Sequence, residues 1–248
     1  MEAHHPHHVT HKKKIAEYVL EFLMIFLAVF LGFIAENLRE NSAERNREKE
    51  FMRSMVEDLK ADTTNIHTFY NRADTTIRQI DSLIYLLKSP DRDQHGQAMY
   101  YYARVITTGL GRFILTDRTY EEMKSSGSLR LIKDDTLSES ISRYYSNQYI
   151  FKEQEQLQLQ KMNNYSDFVV KVFDGSVFQH MLQRFPYKVV SPSFNPPLTT
   201  TDKKTIDEFI GVLHYYSAVI IINSSKSKQE EPLSANLIKL IQDKYNLQ

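Results

Sequence analysis

The 248-residue sequence has no cysteine and no tryptophan, and it has only 7 glycines and 7 prolines. Without cysteine the chain forms no disulfide and offers no thiolate nucleophile, and every zinc or iron–sulfur site built on cysteine is excluded. Glycine and proline mark turns, so their scarcity beside 42% hydrophobic residues indicates few turns and long elements. This composition is typical of a helical protein.

An excess of charge of either sign is also absent, because 31 Lys and Arg residues balance 31 Asp and Glu residues. The longest basic block is Lys12 to Lys14. Nucleic-acid binding depends on a basic surface that displaces counterions, so we expect no nucleic-acid partner. The motifs of serine hydrolases (G-x-S-x-G), zinc proteases (H-E-x-x-H) and P-loop nucleotide binding are missing as well, and we therefore expect neither an enzyme nor a cofactor.

A long apolar run lies near the N-terminus. Residues 22–35 are apolar without interruption, and the extension back to Ile15 gives 21 residues, which as a helix span the roughly 30 Å hydrocarbon core of a bilayer. The run is apolar on every face, which disfavours the alternative of a buried helix in a soluble domain. No small-residue cleavage site follows it. The sequence predicts an uncleaved, single-pass transmembrane helix over residues 15–35, with the lipid bilayer as a partner.

The segments around this helix suggest a domain organisation. Residues 1–14 form a tail rich in His and Lys, residues 36–50 a strongly charged helical segment, and residues 51–248 a helical domain outside the membrane. The histidines of the tail are irregularly spaced, so we expect no metal site there. Basic residues nearly balance across the span. The three lysines next to it favour a cytoplasmic tail and a large domain on the other side.

One face of the predicted span carries acidic and small residues. Glu17 and Glu21 share this face at a spacing of four, and Ala28 and Gly32 have the small-x-x-x-small spacing that lets helices approach closely. We predict a contact face for a second copy or a partner membrane protein, with Glu21 pairing with a basic group or taking up a proton. The alternative is that Glu17 reaches the headgroups near Lys13 and Lys14 and that Glu21 lies at a shallow depth in the bilayer. The complete face is Glu17, Glu21, Met24, Ala28, Gly32 and Ala35.

A heptad pattern follows the charged segment and runs for five heptads up to the Ser89–Pro90 pair, which ends the helix. Two interpretations are open, a stripe packed inside a helical bundle or a coiled coil between chains. Polar positions such as Thr63 and Tyr70 favour the bundle. The stripe consists of Met52, Val56, Leu59, Thr63, Ile66, Tyr70, Ala73, Ile77, Ile80, Ile84 and Leu87.

The rest of the chain reads as helices separated by short connections. We predict helices over residues 97–108, 118–126, 136–174, 202–222 and 234–245, with an irregular crossover at 184–201. A T-x-x-E capping box at Thr136 is expected to begin the third of these. The predicted fold is all-α: a single transmembrane helix that continues into a long helix, followed by a bundle of five or six helices.

The turn after the helix at 118–126 has two interpretations. The residues Ser125, Ser126, Gly127 and Arg130 have the composition of a backbone nest that binds an anion. The same glycine, however, ends a helix at its C′ position without any ligand. Both interpretations stay open from the sequence.

Four stretches of the sequence carry a resemblance to a known family: TYEEMKSSGSLRLI at residues 119–132, Lys133–Asp134 after it, Tyr144–Tyr145, and the earlier EDLK at 57–60. In these stretches the chain resembles an uncharacterised family of bacterial single-pass membrane proteins. The resemblance covers most of the chain and implies a bacterial single-pass membrane protein. Together with the orientation that the lysines favour, we expect a location in the bacterial inner membrane with the large domain in the periplasm. It implies no activity and no site residues.

These features predict a membrane-anchored helical bundle that acts by protein–protein association, as a scaffold or accessory subunit of a cell-envelope complex. The alternative is an extracytoplasmic ligand-sensing domain that signals through a partner membrane protein. Only fourteen residues precede the span, so a sensor would depend on a partner for its output.

Overall fold

The structure is a computed structural model that describes residues 15–109 and 115–247. The predicted N-terminal tail, residues 1–14, lies outside the described residues. The regular structure of the described chain is helical apart from one small hairpin, and the prediction of an all-α fold is confirmed. Its elements are α1 (Ile15–Lys88), α2 (Gly96–Gly109), α3 (Arg118–Ser125), α4 (Asp135–Val172), α5 (Gly175–His180), β1 (Leu182–Arg184), β2 (Tyr187–Val189) and α6 (Lys203–Tyr245).

The chain divides into two units, Met1–Glu50 and Phe51–Gln248. The described part of the first unit is the beginning of α1, whose polar end carries local side-chain contacts such as the Arg39–Glu36 ion pair at 2.5 Å. The second unit begins where the heptad stripe begins. It contains the rest of α1 and all the other elements.

The heptad stripe of α1 is buried inside the second unit. Ile66, Ala73 and Ile80 have no exposed surface, and most other stripe residues are buried as well. They pack on residues of α4 and α6 of the same chain. The stripe therefore belongs to an intramolecular bundle, in agreement with the first of the two interpretations.

The core consists of two apolar clusters, one at each end of the bundle. The first joins the end of α1 to the end of α4 and the start of α6, through residues such as Ile80, Tyr165 and Phe209. The second joins Met52 to the start of α4 and the end of α6. The ends of α1 and α4 therefore share one cluster with the start of α6, and their starts share the other cluster with its end. It follows that α1 and α4 run in the same direction through the bundle and that α6 runs in the opposite direction.

A buried polar layer lies between the two clusters. The side chain of Asn223 in α6 donates to Oε1 of Gln158 in α4 at 2.9 Å, and the Asn147 amide donates to Oε1 of Glu230 at 2.9 Å. Burial raises the pKa of Glu230, although the Asn147 bond opposes this effect. Because buried polar groups need hydrogen-bond partners, these pairs hold α4 and α6 in one register.

Several predicted boundaries are wrong. The predicted helix at 136–174 begins at Asp135, because the carboxylate of Asp134, not Thr136, caps it by accepting from the Leu137 N–H at 2.7 Å. It ends at Val172, and Asp174 caps the separate helix α5.

The C-terminal region differs in a second way. The two helices predicted at 202–222 and 234–245 are one helix, α6, which contains Pro232. Proline removes one backbone hydrogen bond, but this proline is exposed and the apolar residues on both sides of it pack in the two clusters. The tertiary packing on both sides of Pro232 therefore keeps the helix continuous despite the lost backbone hydrogen bond.

The predicted irregular crossover at 184–201 is only partly irregular. Its first residues pair with the end of the preceding segment in an antiparallel hairpin, in which Leu182 faces Val189 and Arg184 faces Tyr187. The pairing is three residues long on each side. Val189 is buried and joins the first cluster, which holds the hairpin on the bundle.

We expect Ile80→Ala to lower the free energy of unfolding by about 2–5 kcal/mol, because the truncation leaves a cavity in a fully buried site. Denaturant unfolding of the full chain in mild detergent measures the change. Ile221, which is 49% exposed on α6, provides the matched control, and Ile221→Ala should change stability by less than about 0.5 kcal/mol. Equal losses in the two variants would contradict the assignment of the core.

Candidate functional site

The predicted contact face lies on the first part of α1. An 18-residue window of this helix near the N-terminus is long and apolar enough to cross a membrane, and none of it is buried in the protein. A second window with these properties, in α6, is 44% buried and belongs to the core. The large apolar side chains of the first window, such as Phe22, Leu27 and Phe30, are about half exposed or more.

All six predicted face residues are helical and exposed. A Cβ added at Gly32 meets no atom within 4 Å, so the glycine leaves open space at the helix surface. A partner helix can come close at such a site because no side chain keeps its backbone away. Whether Glu17, Glu21 and the small residues contact a partner stays a prediction.

The turn at 125–130 has the hydrogen bonding of a helix end. The Ser126 N–H donates to the Glu122 carbonyl at 3.0 Å, and the Gly127 N–H donates to the Lys124 carbonyl at 3.2 Å. Gly127 has φ of 68°, the left-handed conformation in which glycine ends a helix without strain. Two N–H groups that a nest would direct at an anion are therefore already used, and this geometry favours helix termination.

The described residues contain no group of three or more His, Asp or Glu side chains that could hold a metal ion. Titratable side chains do come together elsewhere, in a buried cluster that the sequence analysis did not identify. We call it the carboxylate cluster. It lies where α1, α3 and α4 meet and consists of Asp58, Asp62, Arg118, Thr119, Tyr144 and Tyr145.

Asp58 joins α1 to the start of α3. Its Oδ2 accepts from the backbone N–H of Thr119 at 3.0 Å and from the Thr119 hydroxyl at 2.5 Å, and its Oδ1 accepts from the Arg118 guanidinium at 2.8 Å. Only 3% of the Asp58 side chain is exposed. Asp117 occupies the N-cap position of α3 but makes no capping bond, so the carboxylate on α1 satisfies this helix end instead.

Asp62 lies one turn further along α1 and is fully buried. It accepts from the Tyr144 hydroxyl at 2.8 Å and from the Thr116 N–H at 2.5 Å. Burial raises its pKa from 3.8 to about 6, because removing the carboxylate charge from water is costly. The two hydrogen bonds lower the pKa and the neighbouring Asp58 raises it, but burial has the largest effect. The two bonds attach α4 and the chain before α3 to α1.

The tyrosines complete the cluster. Tyr145 stacks on Tyr120 with ring centroids 4.3 Å apart, and its buried hydroxyl has no hydrogen-bond partner among the described residues. Burial raises the pKa of both Tyr144 and Tyr145, so both hydroxyls stay protonated, and that of Tyr144 donates to Asp62. The cluster can therefore hold a proton at Asp62 up to about pH 6, and its bonds position α3 and α4 on α1.

A sequence signal for this cluster exists, although it is weak. Asp58 and Asp62 are four residues apart, next to the stripe positions Leu59 and Thr63, so they share a helix face that borders the core. Their partners are about 55 to 85 residues away in the chain. Local periodicity contains no information about such pairings.

The fold and these sites define an all-α bundle protein with one exposed apolar helical segment. No protein-family model, no curated protein and no solved structure matches the chain. The resemblance to a family of bacterial single-pass membrane proteins therefore stays a prediction.

We expect Asp62→Asn to change how stability depends on pH. The folded chain holds the Asp62 proton more tightly than the unfolded chain does, so the stability that protonated Asp62 provides below about pH 4 is lost as the pH rises through about 6. Relative to Asp62→Asn, the parent should lose about 2 kcal/mol between pH 4 and 7. Denaturant unfolding at a series of pH values gives this difference.

Two tyrosine variants serve as controls for this experiment. Tyr144→Phe removes a donor to the Asp62 carboxylate, so the pH range of the loss should move upward. Tyr120→Phe removes a hydroxyl that does not bond to Asp62 and should leave the range unchanged. A stability difference between parent and Asp62→Asn that is constant over this pH range would refute the assignment.

Proposed function

We propose that this protein is anchored in a membrane by the start of α1 and acts by protein–protein association, as a scaffold or accessory subunit of a cell-envelope complex. The location is the bacterial inner membrane, with the second unit in the periplasm. The single observation that carries the proposal is the fully exposed apolar window of α1. A monomer with this much contiguous apolar surface would aggregate in water, whereas lipid chains solvate such a surface.

The composition of the helix around this window supports the assignment. The apolar segment ends at Ala35, and Glu36 and Arg39 then form an ion pair on the exposed surface. Charged residues of both signs continue up to Glu50. Such an abrupt change from apolar to charged residues is typical of a helix that leaves the hydrocarbon core for water.

The proposal of association depends on the contact face. Between lipid-embedded helices, close packing at small residues and hydrogen bonds between polar groups provide the attraction. Ala28 and Gly32 supply the small residues, and Glu21 supplies a polar group. A carboxyl group in a membrane is costly unless it faces protein or water, which makes this face the preferred side for a partner.

The membrane assignment predicts that the full chain stays in the membrane fraction after alkaline carbonate extraction. Leu27→Asp combined with Phe30→Asp should move most of it to the soluble fraction, because each charge in the bilayer centre costs about 2.5–3.5 kcal/mol on insertion scales. The matched control is Tyr85→Asp, at an apolar residue of α1 that is 75% exposed in the second unit. A parent chain that is soluble and monodisperse without detergent would refute the anchor.

The contact face predicts the result of crosslinking in membranes. The parent has no cysteine, so Ala28→Cys introduces a single thiol, which should trap a dimer or a heteromeric product under mild oxidation. Phe26→Cys is the control, because two residues along a helix place it about 160° away from Ala28, and it should yield little product. Adding Glu21→Gln should reduce the yield from Ala28→Cys. Equal yields from Ala28→Cys and Phe26→Cys would contradict the predicted face.

A second candidate function is ligand sensing in the second unit. The observation that favours it is a surface cleft of about 480 Å³ between α1, α2 and β2. This volume lies within the range of small-molecule sites. A sensor of this kind would act through a partner membrane protein.

A further inference from the structure

The cleft between α1, α2 and β2 has a distinctive charge. Arg72 of α1 and Lys188 of β2 line it, and no aspartate or glutamate does. In the ranges 15–109 and 115–247, neither cation forms an ion pair with a carboxylate. Two cations in one concave surface without a counter-charge attract an anion, because the low-dielectric walls reduce screening by water.

Gln79, which lines the cleft, has a hydrogen-bond acceptor without a partner. Its Oε1 has almost no exposed surface and accepts no hydrogen bond from the described residues. Such an atom has lost its water and gained nothing in exchange, which costs free energy. A rotation of the Gln79 side chain into the cleft would bring this oxygen to a hydroxyl or N–H group of a bound molecule.

The remaining wall is suited to the body of a small molecule rather than to a bare ion. Tyr101 of α2 lines the cleft together with the apolar side chains of Val105 and Val189. An aromatic ring beside apolar groups packs against the C–H face of a sugar ring, while its hydroxyl and that of Thr75 reach polar substituents. A site of this size can contain one hexose with an acidic group.

We propose that the cleft binds a small sugar acid or sugar phosphate. Its anionic group lies between Arg72 and Lys188, and one of its hydroxyls donates to Oε1 of Gln79. The role of this binding rests on the second candidate function, but the binding itself does not depend on the membrane anchor.

The test is to titrate the full chain in mild detergent with small sugars and anions. Calorimetry measures the binding, and the shift of the melting temperature provides a second measurement. The probes are glucuronate and glucose 6-phosphate, with glucose and inorganic phosphate as controls. We expect at least one anionic sugar to bind with a Kd below about 1 mM and to raise the melting temperature. Glucose and inorganic phosphate should each bind at least about tenfold more weakly, since each lacks one half of the recognised chemistry.

Three variants test the named contacts. Arg72→Gln combined with Lys188→Gln should weaken binding about tenfold or more, since the charge-assisted bonds are lost. Gln79→Met should weaken the binding of the anionic sugars without lowering the melting temperature of the free protein, because it removes an unsatisfied acceptor. Arg53→Gln, at an exposed arginine of α1 outside the cleft, is the matched control and should bind as the parent does.

No saturable binding of either anionic sugar would overturn the proposal. Unchanged affinity in the Arg72 and Lys188 double variant, or equal affinity for glucose, would also overturn it. These results leave the carbonate extraction unaffected, so a failed ligand proposal and a failed membrane anchor are distinguishable.

Discussion

The burial of one apolar stripe of α1 against α4 and α6 is the interaction on which the second unit depends. The stripe contributes fully buried residues to both apolar clusters, among them Leu59 in one and Ile80 in the other. The helices α4 and α6 pack on each other and share both clusters with the stripe. An amphipathic helix is stable only when its apolar side is removed from water, and the stripe supplies part of that cover. The short helices and the hairpin then pack around these three.

Apolar packing alone does not determine how the three helices align along their length. A slip by one helical turn would exchange similar apolar residues, but it would leave the amides and carboxyls of the middle layer without partners. The Gln158–Asn223 and Asn147–Glu230 pairs, and the Thr63–Ser234 contact at 3.0 Å, therefore oppose such a slip. The bonds of Asp58 and Asp62 add a connection from α1 to α3 and α4 in the same way.

The two proposed functions use different surfaces of the chain. Association depends on the exposed start of α1, whose apolar side chains contribute nothing to the described core. Ligand binding depends on the cleft at the other end of the same helix, where α1 provides Arg72 and Gln79 and the hairpin provides Lys188. The hairpin is held in position by Val189 and Leu182, which pack in the first cluster, so the cleft is a product of the tertiary packing.

The sequence by itself determined the helical class, the long helix α1 and its buried stripe, and the exposed apolar segment, because composition and periodicity are local properties. It also located the helix end at Gly127. Only the tertiary structure decided the continuity of α6 through Pro232, the hairpin, the carboxylate cluster and the cleft. The pairing within the hairpin is local, but its position on the bundle and the other three features depend on contacts between residues far apart in the chain. Burial against distant elements outweighed the tendency of a proline to end a helix. It also brought together polar groups whose spacing in the sequence gives no sign that they are in contact.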